Sequence, residues 1–269
     1  MSRTLEPALE VGVAGVALLG PGLTDWTAAQ ALLRSPADWQ RQPTVVPAPA
    51  LLPANERRRA GLVVKGSVAV ADAACQAAGL DPATLATVFT SSTGDPANCH
   101  AMCEALATPE RLVSPTRFTN SVHNVAAGYW HIATHSMAAS TSLGAFDASF
   151  AAGLLEAAAQ CASTQQPVLL VACDVPYPEP LHAVRPLPDS FALALVLVPA
   201  KQAGRRLRVA LAGDAAPTTC AHAGLEALRR EIPAARALPL LQALAGASAA
   251  ALVLEGLPGQ ALACELGAP

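Results

Sequence analysis

Residues 124–152 read Asn-Val-Ala-Ala-Gly-Tyr-Trp-His-Ile-Ala-Thr-His-Ser-Met-Ala-Ala-Ser-Thr-Ser-Leu-Gly-Ala-Phe-Asp-Ala-Ser-Phe-Ala-Ala. The run predicts a helix over 121–135, a short turn, a β-branched strand over 140–146, and an elbow of small residues. That elbow leads into an alanine-rich helix over 149–162. A strand that turns directly into a helix presents the helix's unpaired N–H groups and the positive end of its dipole to whatever side chain sits at the bend. Here that side chain is Asp147.

The same alternation continues outward. Upstream, residues 11–19 form an apolar strand ending at Gly20-Pro21-Gly22, and Thr24 or Asp25 can cap a helix to about Leu33. Residues 43–53 are a proline-punctuated loop. A helix over 67–78 stops at Gly79, a strand covers 86–91, and a helix after Gly94-Asp95-Pro96 runs to about Ala107. Downstream come a strand over 168–173, a proline-rich loop over 176–188, and a buried strand over 191–198. A strand at 207–212, helices near 218–231 and 238–245, and short strands near 250–255 and 261–266 complete the chain. The pattern predicts an α/β layered domain with a mainly parallel sheet.

Composition excludes several functions. Charged residues are 14% of the chain, against roughly 25% in an average domain, and hydrophobic residues are 52%. A large apolar surface buried against a partner accounts for that; inflation by alanine is the plainer alternative. A net charge of −3 argues against nucleic acid, which needs a clustered basic face. Arg57-Arg58-Arg59 and Arg205-Arg206 with Arg208 are the basic clusters, and a short patch of this kind could meet an acidic carrier protein. The apolar runs fall short of the ~20 residues of a membrane span. No secretory leader is expected at the start, and seven irregularly spaced cysteines are not a disulfide framework. The expectation is a cytoplasmic, reduced protein.

Other constellations fail on their chemistry. His131 and His135 lie four apart on one predicted helix face, but neither a glutamate nor a third ligand accompanies them, so no metal is expected. Cys99 and Cys103 are read as packed hydrophobes rather than ligands. Thr90–Gly94 lacks the lysine of a phosphate loop, and no Gly-x-Ser-x-Gly elbow is present.

The order of motifs resembles the β-ketoacyl synthase family. Asn124-x-x-x-Gly128 with Ile132 is similar to the family's Asn-x-x-Ala-Gly helix, and Ser140-x-Ser142 to its Pro-Ser-x-x-Ile strand. The opening Val-x-Gly strand, the helix over 71–80 and Arg185-Pro186 before a buried strand also match. The resemblance covers about residues 10–212. It implies a thiolase-like fold whose ketosynthase-like N-terminal domain spans 1–212. A shortened second half at 213–269 completes or extends that fold.

Continued without a gap, the resemblance sets Asp147 where the family carries its nucleophilic cysteine. An aspartate cannot form the cysteine's acyl thioester. The family's two histidine-bearing segments and its glycine-rich oxyanion loop have no counterpart, so no catalytic residue is expected. Ketosynthase-like chains without the cysteine are chain length factors, and this chain looks most like the short kind of aryl polyene pigment synthesis. The resemblance implies a heterodimer with an active ketosynthase and no bound cofactor. The acyl chain is presented on the phosphopantetheine of an acyl carrier protein. Side chains on the helix after Gly94 are expected to set where the chain stops; the candidates are Ala97, Asn98, His100, Ala101 and Met102. Two alternatives stand: an autonomous acyl-thioester enzyme (an acyltransferase or thioesterase), or a carrier-protein scaffold that does not shape the chain.

Overall fold

The computed structural model describes residues 8–202 and 204–268. Strand β1 (Leu9–Leu19) is followed by α1 (Trp26–Arg34), α2 (Ala54–Arg59) and α3 (Leu62–Ala78). Next come β2 (Ala86–Thr90), α4 (Pro96–Ala107), α5 (Pro115–Thr119), α6 (Val125–Thr134) and β3 (Ser140–Leu143). Helix α7 (Ser149–Thr164), β4 (Val168–Asp174), α8 (Leu181–Val184), β5 (Phe191–Pro199) and β6 (Arg205–Leu211) follow. Helices α9 (Ala223–Glu231) and α10 (Leu238–Ala245) precede β7 (Ala250–Leu254) and β8 (Leu262–Leu266).

The predicted punctuation is used as read. Asp25 caps α1, its carboxylate accepting from the Ala28 N–H at 2.8 Å. Gly79 closes α3 in the left-handed region at φ +65°. The carbonyls left open at the end of α10 are met by Arg205, which donates to Ala243 and Gly246 at 2.7 Å.

The eight strands among the described residues join one sheet in the order β3-β2-β4-β5-β1-β6-β8-β7. Only β2 with β3 and β2 with β4 are parallel; the pairings from β4 through β5, β1, β6, β8 and β7 are antiparallel. The expectation of a mainly parallel sheet is therefore corrected. Helical crossovers of useful length separate β2, β3 and β4, whereas the link from β4 to β5 holds only the four residues of α8. With only four helical residues in that link and no helix to carry the chain back across a face of the sheet, β5 runs back against β4.

Period two divides the core into two layers. Along β5, Phe191, Leu193, Leu195 and Leu197 face α7, α9 and α10, while Ala192, Ala194, Val196 and Val198 face α3 and α6. Strand β4 divides likewise. In β1 a bulge between Val13 and Gly15 reverses the parity: Val11 and Val13 point to the first layer before it, and Val16 and Leu18 after it. Gly15 is required there, because a Cβ would lie 2.2 Å from the carbonyl oxygen of Ala74 on α3.

Candidate functional site

The elbow between β3 and α7 is held by buried hydroxyls. Ser149, 2% exposed, accepts from the Ala145 N–H at 2.9 Å and lies 3.1 Å from the Ser91 carbonyl. Thr90 donates to the Ser149 carbonyl at 2.9 Å. Phe146 takes φ +52°, an uncommon conformation for an aromatic residue, at the start of a single 3-10 turn over Phe146–Ala148.

Asp147 sits in that turn between two arginines. Arg185, from the loop before β5, bonds one carboxylate oxygen; Arg236 bonds the other at 3.2 Å. The pairs continue: Arg236 to Glu255 at 2.9 Å, Glu255 to Arg229 at 3.1 Å, Arg229 to Glu226 at 2.7 Å. Three carboxylates and three guanidinium groups thus alternate from the elbow to α9. The hydrogen bond and charge of Arg229 hold the Glu226 carboxyl below the usual carboxylate range. No spacing signals this ladder, since its members are spread over more than a hundred residues.

Directly behind Arg185, Asp174 ends β4 fully enclosed. It accepts from the Ser92 N–H at 2.7 Å, yet burial pushes its carboxyl up. The Ser92 hydroxyl meets the Tyr177 hydroxyl at 3.0 Å. No thiol stands at the elbow: Cys75, Cys161, Cys173, Cys220 and Cys264 are buried. Burial pushes Cys173 and Cys264 up to about 12 and Cys161 to about 11, far from the thiolate a nucleophile needs.

Cys99 and Cys103 are exposed on α4, which corrects the expectation that they pack inside. The helix buries only Pro96 and Asn98, so most of its surface faces out. Asn98 is engaged structurally, its amide donating to the Arg117 carbonyl at 2.9 Å. Ala97 is exposed, His100 lies 3.3 Å from Glu104, and Ala101 and Met102 are half-buried. His131 and His135 do not share a helical face, because α6 ends at Thr134 and His135 adopts φ +55°. His131 Nδ1 lies 2.9 Å from the Ser136 carbonyl, and its Nε2 is shut from solvent without a partner among the described residues.

Two spaces adjoin β3, whose outer edge is unpaired in the sheet. An open groove runs along it, lined by His123, Asn124, Ala127, Gly128, His131, Ser140 and Ser142. Beside it lies a much smaller space whose walls are both apolar (Val63, Phe89, Val125) and hydroxyl-bearing (Ser67, Thr90, Ser91). The five α4 candidates do not line this cavity; Gly94, just before the helix, does. Val122 and Ile132 share a neighbouring hollow with Asn124 and Gly128, and Met137, just before β3, and Phe118 on α5 are 96% and 67% exposed. No helix among the described residues is long and apolar enough to cross a membrane.

This is the layered architecture of a thiolase-like ketosynthase, with a carboxylate at the elbow. The sequence matches the family described as Beta-ketoacyl synthase, N-terminal domain, over residues 26–255, and the chain belongs to that family. No curated protein matches it. Among solved structures it is similar to a chain of the ketosynthase (ApeO) in complex with its chain length factor (ApeC) from Xenorhabdus doucetiae. That likeness has 23% identity and a TM-score of 0.72, covering 96% of this chain and 99% of that one. It is similar also to the ishigamide ketosynthase/chain length factor, with 15% identity, TM-score 0.65, and coverage of 97% and 99%. A third is a type II PKS acyl-carrier protein in complex with its ketosynthase (AntDE:AntF), with 12% identity, TM-score 0.75, and coverage of 98% and 100%.

Proposed function

We propose that this chain is a non-catalytic chain length factor, which pairs with an active ketosynthase and shapes the acyl tunnel during polyene or polyketide elongation. The observation that carries the reading is the fixed carboxylate of Asp147. Both its oxygens are engaged by Arg185 and Arg236 at the elbow where the family resemblance sets a nucleophile. A carboxylate neutralised on both sides is a fastening, and the buried thiols are too basic to replace it.

The unpaired edge of β3 and the exposed apolar Met137 just before it support a partner on that side. For the acyl carrier protein, Arg57, Arg58 and Arg59 on α2 supply a basic corner for an acidic surface. Asn120 binds the Arg59 carbonyl at 3.1 Å and so ties that corner to the end of α5, which carries Arg117.

The test is reconstitution with malonyl-loaded carrier protein. The ketosynthase alone is expected to give little product or a scatter of lengths, the pair a defined length, and this chain alone no turnover. Acyl-thioester turnover by the isolated chain, or its labelling by an acyl-thioester analogue, would overturn the proposal.

A further inference from the structure

We infer that Cys99 and Cys103 form a two-thiolate site on α4 for a soft, two-coordinate cation, monovalent copper. The residues lie four apart within Pro96–Ala107, so their side chains stand one above the other on a single helical face. Both are exposed, whereas the other five cysteines are buried. Partial burial of Cys99, and then the Cys103 thiol beside it, push the Cys99 pKa up, which marks the two sulfurs as neighbours. The helix buries only Pro96 and Asn98, so the protein itself lays nothing over the pair.

Spacing decides what can join the two sulfurs. Cβ atoms four apart on a helix are about 5–6 Å from each other. A disulfide needs about 3.5–4.5 Å, so closing one would draw the turn inward. A metal ion set between the sulfurs makes up that difference and leaves the backbone where it is. Donor count then selects the ion. Zinc in a structural site takes four protein ligands. Among the described residues, no group of three or more His, Cys, Asp or Glu side chains is arranged to hold a metal. The donors one position along from each thiol, His100 and Glu104, meet each other at 3.3 Å. What is left is a pair of thiolates, and soft thiolate ligands favour monovalent copper. Loading exchanges protons for metal: one Cu⁺ and two thiols give an anionic dithiolate complex and two free protons.

The test titrates the full, reduced chain with monovalent copper under anaerobic conditions, in competition with the chelator bathocuproine disulfonate. Zinc is titrated in parallel. One copper ion per chain is expected to be held against the chelator, while zinc is lost on gel filtration. Cys99→Ser and Cys103→Ser, both at exposed positions, should each weaken copper retention tenfold or more and leave the circular dichroism spectrum unchanged. A second readout needs no variant: bound copper should protect Cys99 and Cys103 from a maleimide, as read by peptide mapping. Copper surrendered to the chelator, retention unaltered in either variant, or equal retention of zinc would overturn the inference. So would ready formation of a Cys99–Cys103 disulfide with diamide. Cyanogen bromide reveals it, because cleavage after Met102 leaves the two fragments joined only through that bond. None of these results bears on the proposed pairing with a ketosynthase.

Discussion

The guanidinium of Arg185 lies over the Phe146 ring, 3.6 Å from its centroid, and from there bonds Asp147 in the next position of the chain. Stacking and ion pair act on neighbouring residues of one turn, so the loop before β5 is clamped onto the elbow at two points. Planarity makes this possible: a flat, delocalised cation can rest on an aromatic face while its N–H groups point sideways at a carboxylate.

Asp147→Ala should destabilise the folded chain without revealing lost chemistry. It leaves Arg185 and Arg236, 22% and 14% exposed, without their shared acceptor. Since Asp147 itself is 36% exposed, solvent moderates the loss to about 1–2 kcal/mol. Chemical denaturation measures it. Asp147→Cys should show no condensing activity by the isolated chain in a thioester-release assay.

Arg185→Lys should lose most of what Arg185→Ala loses, because an ammonium keeps the charge but neither stacks flat nor offers a planar fork. A double-mutant cycle with Asp147→Ala should give a coupling energy of about 0.5–3 kcal/mol; a value near zero would show that the clamp does not act.

Asp174 sets a pH dependence of defined sign. Burial raises its pKa in the folded chain, so folding binds its proton more tightly than the unfolded chain does. That contribution is fully present below the ordinary carboxylate pKa and is lost as pH rises through the folded value. Asp174→Asn keeps an acceptor for the Ser92 N–H and removes the ionisation. Its stability relative to the parent should therefore rise with pH from the ordinary carboxylate range upward, then level off. Thermal melts across pH test this; a difference that falls with pH would contradict it.

Thiol reactivity should divide the cysteines. Cys99 and Cys103 are exposed, whereas the other five of the seven are buried and those pKa values are pushed up to about 11 or 12. In native conditions a maleimide should modify two thiols promptly and the remainder only on unfolding. Peptide mapping identifies them.

Much of the architecture was legible from chemistry close in sequence: Asp25 before α1, Gly79 after α3, and the elbow running into α7. Strand direction was less so. Alternating strands and helices suggested parallel pairing, but direction depends on whether a link supplies a helix that crosses the sheet, and residues 175–190 hold only the four-residue α8. The exposure of Cys99 and Cys103 was missed because α4 has little beneath it, a fact of tertiary placement. The elbow's aspartate was visible at once. Its two arginines were not, because ion pairs between distant segments leave no spacing to read.

Met137→Glu and Phe118→Glu change residues that are 96% and 67% exposed, so each should alter the stability of the free chain by no more than about 0.5 kcal/mol. Against a partner each should weaken association tenfold or more, about 1.4 kcal/mol. The parent chain and these variants are each co-expressed with the ketosynthase encoded nearest to it, and the purified material is read by native mass spectrometry. A one-to-one complex for the parent, lost or diminished in the variants, is the predicted result. A parent chain found only as a monomer or homodimer, indifferent to the ketosynthase, would contradict the account.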